Sequence, residues 1–235
     1  MQSDIWGWNW QDFEILESTN DYALNQELPN QNSKLLFSAK TQTKGRGRRG
    51  RNWISKMGNL YMSQLFFSSS TPQALVYITA LSLAALIKSH LNHGDLSIKW
   101  PNDILIDGKK VGGILIEKAY SGAFVIGIGV NLEDAPDSTD IIYPATSLKN
   151  YNVIISRENF IAEYLKNFEQ NIKKSFKDIR LEFLSFAYKL KQEITVDVGK
   201  RKISGVFQGI DENGFLLLQQ GNNTMTINTG EILFL

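Results

Sequence analysis

Four arginines and a lysine fall within eight consecutive positions, Lys44-Gly45-Arg46-Gly47-Arg48-Arg49-Gly50-Arg51, and Asn52-Trp53 closes the run. The three interleaved glycines let the backbone turn through positive φ and expose its N–H groups, while guanidinium forks bind carboxylate and phosphate oxygens in pairs. The runs on either side, Lys34-Leu35-Leu36-Phe37-Ser38-Ala39 and Asn59-Leu60-Tyr61-Met62-Ser63-Gln64-Leu65-Phe66-Phe67, are apolar and strand-like. Whatever the fold, it must sling an anion cradle between two core strands, the position in which scaffolds usually carry binding chemistry.

A basic run can also be a solvated face, or a tail that grips nucleic acid without sequence preference. The apolar flanks argue against a tail. So does the bulk charge, 25 basic against 24 acidic residues for a formal net of +1, which leaves the local cluster as the sole attraction for a polyanion. At 235 residues, 43% hydrophobic and 21% charged, the chain can build one sizeable core, or one core plus a small appended module. It has no cysteine, which removes disulfides and thiolate metal sites. The N-terminus lacks the basic start and apolar centre of a signal peptide. The most apolar stretch, Ala74 to Leu91, reads as too short and too polar to span a bilayer. These features predict a cytoplasmic protein with no membrane segment.

Trp6, Trp8 and Trp10 alternate, as in a strand or an aromatic packing patch. Glu17-Ser18-Thr19-Asn20 reads as a strand-to-helix junction, and its three small polar side chains form a compact hydrogen-bonding set suited to a polar ligand head. A helix is expected from Pro72 to about Leu91 behind a Ser/Thr cap, burying Leu75, Ile78, Leu81, Ala85 and Leu86 or Ile87. His90 and His93 fall at its end and lack the partners of a metal site.

Ser97 to Glu117 reads as a short strand, a Pro101-Asn102-Asp103 corner, a hairpin through Asp107-Gly108 and a further strand. Gly112 and Gly113 mark either a bulge or a close approach to the backbone, with the Lys110 ammonium pointing into the same space. Phe124 to Asn131 is a buried strand whose spaced glycines lack the offset of a dinucleotide fingerprint. Residues 133 to 150 read as loop, and Ser156 to about Leu190 as one long amphipathic helical region striped by Phe160, Tyr164, Phe168, Ile172 and Phe176. Four short strands, Glu193–Val198, Lys202–Ile210, Phe215–Gln219 and Thr224–Ile227, then form a β module of roughly forty-five residues, close to the lower limit for an independent core.

Taken in order, Glu17-Ser18-Thr19-Asn20, the Gly45–Arg51 loop, Lys99-Trp100-Pro101-Asn102-Asp103, Lys110-Val111-Gly112-Gly113-Ile114-Leu115-Ile116-Glu117, Gly127-Ile128-Gly129-Val130-Asn131 and Ala145-Thr146-Ser147-Leu148 resemble the motif series of biotin protein ligases. The likeness runs from about Glu17 to the C-terminus. It implies an α+β fold: a central mixed sheet with helices related to class II aminoacyl-tRNA synthetases over residues 1–190, and a small SH3-like barrel over 191–235. It also implies a reaction in which biotin and ATP give biotinyl-5′-adenylate, whose biotinyl group passes to a lysine of biotin carboxyl carrier protein.

Carried over by matching position, the resemblance implies that Ser18, Thr19, Asn20 and Gln42 meet the biotin head. Arg46, Gly47 and Arg48 close over biotin and the adenylate phosphate, and Lys110 meets the biotin carboxylate and the α-phosphate. Gly112 and Gly113 leave room for the ligand, and Lys99, Asn102, Asp103 and Asn131 lie near the nucleotide. Lys110 and Arg48 are the implied catalytic groups. This suits the chemistry, because bringing a carboxylate onto a phosphate needs positioned cations more than a base. Mg²⁺ is implied as activator without identified ligands, and the Gly-Arg loop as a lid that keeps water from the mixed anhydride.

Sixteen residues before Glu17 are too few for the helix-turn-helix of ligases that double as repressors, so the expectation is a monofunctional ligase without DNA binding. A homodimer stays open, and Lys44 has no evident task. The rival readings are a lipoate–protein ligase, whose Arg-Arg-x-x-Gly-Gly-Gly run is missing, and a non-catalytic phosphate- or RNA-binding module.

Overall fold

The computed structural model describes residues 2–136 and 143–234. The part of the expected loop at 137–142, like residues 1 and 235, lies outside the described residues. The elements in chain order are β1 (Gln2–Ile5), β2 (Trp8–Leu16), α1 (Thr19–Leu24), β3 (Lys34–Gln42), β4 (Leu60–Phe66), α2 (Pro72–His90), β5 (Leu96–Lys99), β6 (Asp103–Ile106), β7 (Lys109–Lys118), β8 (Phe124–Val130), α3 (Arg157–Asn171), α4 (Phe176–Phe186), β9 (Glu193–Asp197), β10 (Lys202–Ile210), β11 (Leu216–Gln220), β12 (Asn223–Ile227) and β13 (Glu231–Ile232). Eight strands form one mixed sheet in the order β1-β2-β3-β4-β8-β7-β6-β5, in which only β2 and β3 run parallel. Five antiparallel strands form a second sheet, β12-β11-β10-β9-β13.

Strand alternation sorts the large sheet into two faces. Leu36, Met62, Phe66 and Ile126 point into the main core beneath α2 and α3, while their neighbours Phe37, Leu65 and Val125 meet the short helix α1 on the other side. β4 and β8, at the centre, are buried along their whole length. The face that α1 covers only in part is left to carry a cavity.

Serine or threonine caps each helix: Ser18, Thr71, Ser156 and Ser175 accept from a backbone N–H three residues on. α2 departs from its expected single stripe. Ala85 faces solvent, and Leu83 and Ala84 are buried, because α3 and α4 cover flanks that the sheet leaves open. By length and composition α2 would suit a membrane span, contrary to the sequence reading; 67% of that window is buried inside the protein. The long helical region is two helices, broken at Lys173-Lys174-Ser175 as Ser175 caps the second. The Trp-rich start is a hairpin. It turns at Trp6 and Gly7 in the left-handed region, exposing Trp6 while Trp8 is fully buried against Phe66 and Phe168.

The second sheet has a strand the sequence reading missed, the two-residue β13, which pairs with β9. Its apolar side chains, among them Val196, Phe207, Leu218 and Ile232, join the same continuous core as α2 and the large sheet. Tyr77 of α2 is one polar tie between the two. Its hydroxyl donates to the Gly214 carbonyl at 2.6 Å and accepts from Trp100 Nε1 at 2.9 Å, all within the core. Replacing Tyr77 by Phe leaves a buried carbonyl and a buried indole N–H unpaired and should cost about 1–3 kcal/mol. Urea unfolding followed by tryptophan fluorescence checks this, and an unchanged midpoint would show that the tie adds no stability.

Candidate active site

A cavity of about 740 Å³ opens on the face of the large sheet that α1 leaves uncovered. Its lining includes Ser18, Thr19, Asn20, Gln42, Arg46, Gly47, Arg48, Asn102, Lys110, Gly113 and Asn131, so folding brings most of the sequence-expected set onto one surface. Gly112, Lys99 and Asp103 are not among the lining residues. Gly112 lies within β7, where a side chain would meet the Gly129 carbonyl. Lys99 and Asp103 are buried behind Lys110.

One end of the cavity is a neutral hydrogen-bonding pocket. The Thr19 backbone N–H donates to Gln42 Oε1 at 2.8 Å, and its hydroxyl donates to the same oxygen at 3.2 Å. Ser63, buried in β4, lies 2.8 Å from the Thr19 hydroxyl and donates to Asn20 Oδ1 at 2.6 Å. Gln42 Nε2 donates to Ser55 Oγ at 3.0 Å. Asn20 lies flat on β8, where a methyl group on Gly127 would overlap its amide. Fixed donors and acceptors with almost no net charge are what a polar, uncharged ligand head requires.

The other end is cationic. Lys110 Nζ pairs with Asp103 Oδ1 at 2.7 Å, and Asp103 Oδ2 pairs with Lys99 Nζ at 3.2 Å. Lys99 also contacts Glu231 Oε1 at 3.2 Å and donates to the Ile232 carbonyl at 3.1 Å, both on β13. Glu231 then receives the Arg51 fork at 3.2 and 2.7 Å. Burial alone pushes the Asp103 carboxyl up, but Lys110 and Lys99 outweigh it and hold it below the ordinary carboxylate range. Glu231 is likewise raised by burial and lowered further by Lys99 and Arg51. The result is a chain of alternating charges, Lys110, Asp103, Lys99, Glu231 and Arg51, that fixes the Lys110 ammonium at the cavity wall.

The Gly-Arg loop is a folded flap over this cavity. Gly47 N–H donates to the Arg51 carbonyl at 2.7 Å and Trp53 N–H to the Gly45 carbonyl at 2.8 Å, with Arg49 in the left-handed region between them. Arg46 is tied to Asp21 and Glu117, Arg49 to Asp197, and Arg51 to Glu231. Lys44, without a task in the sequence reading, pairs with Glu17 at 3.0 Å on the exposed rim. Among the described residues Arg48 has no carboxylate partner; its Nη1 donates to Asn102 Oδ1 at 2.8 Å, and Asn102 is anchored on the Ile114 carbonyl. Burial pushes this guanidinium down from its usual value. A desolvated cation held only by an amide is poised for an incoming anion.

Trp53, which closes the run, gives the glycine pair its meaning. The register of β6 against β7 slips so that Val111 is unopposed, and a side chain on Gly113 would come within 2.8 Å of the Trp53 ring. Gly129 makes the same room on β8. Both sequence expectations therefore hold together: the strand carries a bulge, and something does approach its backbone. That something is an indole of the chain itself, with Lys110 Nζ 5.2 Å from its centroid and its own N–H buried without a partner among the described residues. Sequence reasoning also missed Ser63, Asp21 and Glu231, which contribute through distant contacts, and Tyr143, whose ring lies 4.8 Å from Lys99 Nζ.

Residues 13–132 match the profile of the Biotin/lipoate A/B protein ligase family, and residues 190–235 match that of the biotin protein ligase C terminal domain. The chain belongs to the biotin protein ligase family. It is 32% identical over 243 residues to the biotin–[acetyl-CoA-carboxylase] ligase of Paracoccus denitrificans, covering 93% of this chain and 97% of the relative. It is 27% identical to the bifunctional ligase/repressor of Escherichia coli, covering 93% of this chain and 71% of that one. The biotin protein ligase of Aquifex aeolicus, solved in complex with biotin and ATP, superposes with a TM-score of 0.84 at 28% identity, over 95% of this chain and 97% of that one.

In this member of the biotin protein ligase family, Asp103 is the residue on which the cationic end depends. Asp103→Asn leaves Lys99 and Lys110 facing a neutral amide in a buried site and should cost about 3–5 kcal/mol. Because the folded-state pKa of Asp103 is depressed, its contribution is present above the unfolded value of about 3.9 and is lost as pH falls through the lower folded value. Urea titrations of both proteins at neutral and acid pH should therefore converge as the pH drops. A gap that stayed constant would refute the assignment.

Proposed function

We propose that the chain is a biotin–protein ligase, which activates biotin with ATP and transfers the biotinyl group to a lysine of biotin carboxyl carrier protein. One observation carries this reading: a single cavity joins a neutral hydrogen-bonding pocket, at Thr19, Asn20 and Gln42, to a cationic wall at Lys110 and Arg48. Biotin has that polarity, an uncharged ureido head at one end and a carboxylate at the other. In the first step the carboxylate oxygen attacks the α-phosphorus of ATP, and the bond to the β-phosphate oxygen breaks to release pyrophosphate. In the second, the neutral amine of the acceptor lysine attacks the acyl carbon, AMP leaves, and the amine nitrogen loses a proton.

Ser18, Thr19, Asn20 and Gln42 receive the head, with the Arg46-Gly47 backbone over it. Lys110 bridges the carboxylate and the α-phosphate, so that the two anions meet at a fixed cation and little reorganisation is needed as the bond forms. Arg48 adds charge from the flap, steadied by Asn102. Asn131 and the Trp53 ring serve the nucleoside, whereas Lys99 and Asp103 act by holding Lys110. Asn131, whose Oδ1 is buried without a partner among the described residues, would be the residue to hold Mg²⁺ together with the ATP phosphates, and the ion would neutralise the departing pyrophosphate.

The finer fold assignments belong to the same proposal: a class II aminoacyl-tRNA synthetase-like domain over residues 1–190 and an SH3-like module over 191–235. So does a cytoplasmic location, where ATP and carboxylase subunits meet. The phosphate-gripping alternative is disfavoured, because three of the four arginines are already engaged by carboxylates of the chain itself.

Biotin-dependent exchange of pyrophosphate into ATP tests the reading directly, and a folded sample that showed none would refute it. Lys110→Ala should lower the exchange rate by about 10²–10³-fold under conditions where circular dichroism shows the variant folded. An unaltered rate would remove Lys110 from the chemistry. Arg48→Gly should release adenylate and label lysines of a bystander protein; retention equal to the parent's would show that the flap does not hold the intermediate.

A further inference from the structure

Arg46 points toward the head pocket but is not available to an anion. Its Nη1 and Nη2 donate to the two oxygens of Glu117 at 3.0 and 2.7 Å, while its Nε donates to Asp21 Oδ2 at 3.1 Å and its Nη2 lies 2.6 Å from Asp21 Oδ1. The bond to Glu117 is the leading reason that this guanidinium is held above its usual value, with burial opposing it. Arg46 is thus a strut between the flap and the sheet.

Glu117 has a second partner. The oxygen that receives Arg46 Nη2 also accepts from Asn20 Nδ2 at 2.8 Å. A carboxylate can only accept, so it admits only the NH₂ side of the Asn20 amide and turns Oδ1 toward Ser63. One side chain on β7 therefore sets the orientation of a head-pocket amide and the seat of the flap. Glu117 is not among the residues that line the cavity, so it acts through these two partners.

We propose that Glu117 is a positioning residue that couples the biotin head pocket to the flap through Asn20 and Arg46. The inference rests on the biotin ligase reading above. Ordering of the head group and seating of the flap share one carboxylate, so each favours the other. The phosphate end is held separately, with Lys110 on Asp103 and the Arg48 segment of the flap on Asn102 and, through Arg51, on Glu231, so this coupling leaves it in place.

The experiment is biotin-dependent pyrophosphate exchange with Glu117→Gln, Arg46→Lys and the double variant. Glu117→Gln should raise the biotin KM at least tenfold and leave the ATP KM and kcat within twofold, a split that general loosening of the fold would not produce. The double variant should be no worse than the more affected single one, because both substitutions break the same link. An unchanged biotin KM, an equal rise in both KM values, or fully multiplicative effects in the double variant would each overturn the proposal. Should Glu117→Gln not fold, Glu117→Asp carries the test with the same outcomes: a biotin-selective rise supports the coupling and an unchanged biotin KM overturns it. Exchange by the parent separates the two readings, since its absence sinks the ligase assignment, while its presence beside an unaffected Glu117→Gln sinks only the coupling.

Discussion

The Asp103 carboxylate, buried between two lysines, is the interaction on which the cavity depends. A lone ammonium on a flexible four-carbon stem would swing into water. Held 2.7 Å from Asp103, Lys110 stays in place. Lys110 and Lys99 together hold that carboxyl below the ordinary carboxylate range against its burial, and Lys99 is in turn paired with Glu231. Each group is tolerated because the next is there, and the series ends at Arg51 on the flap.

That dependence explains why the small C-terminal sheet is part of the site. Glu231 sits on a strand of only two residues, whose place is set by pairing with β9 and by a core shared with α2. Arg49 adds a second link from the flap to Asp197 on β9. The flap is therefore supported from two sides: from the C-terminal sheet through Arg49 and Arg51, and from β7 and α1 through Arg46. Among the described residues, only Arg48 of the four arginines is left facing the cavity with a neutral partner.

The cavity's two ends differ electrically for the same reason. At the head end, Arg46 is taken up by Asp21 and Glu117 behind the pocket, and the groups that face the ligand are amides and hydroxyls. At the far end, Lys110 and Arg48 keep the wall positive. An elongated molecule with a polar uncharged head and an acidic tail has one favourable orientation between them, with its carboxylate beside the cations that the chemistry needs.

The sequence by itself determined the local pieces: the strands flanking the Gly-Arg run, the strand-to-helix junction at Ser18-Thr19-Asn20, the Asp107-Gly108 hairpin and the four clear C-terminal strands. These are set by short-range physics, by alternation, capping and turn geometry, and so can be read from neighbours along the chain. Tertiary structure alone decided which arginines are free and which are struts, because their carboxylate partners lie as far away as Glu231, 180 positions from Arg51. It also decided that Gly113 and Gly129 make room for Trp53, that α2 is buried nearly all round, and that Ser156 to Leu190 breaks into two helices. Charge pairing and close packing depend on distance in space, which sequence order does not contain.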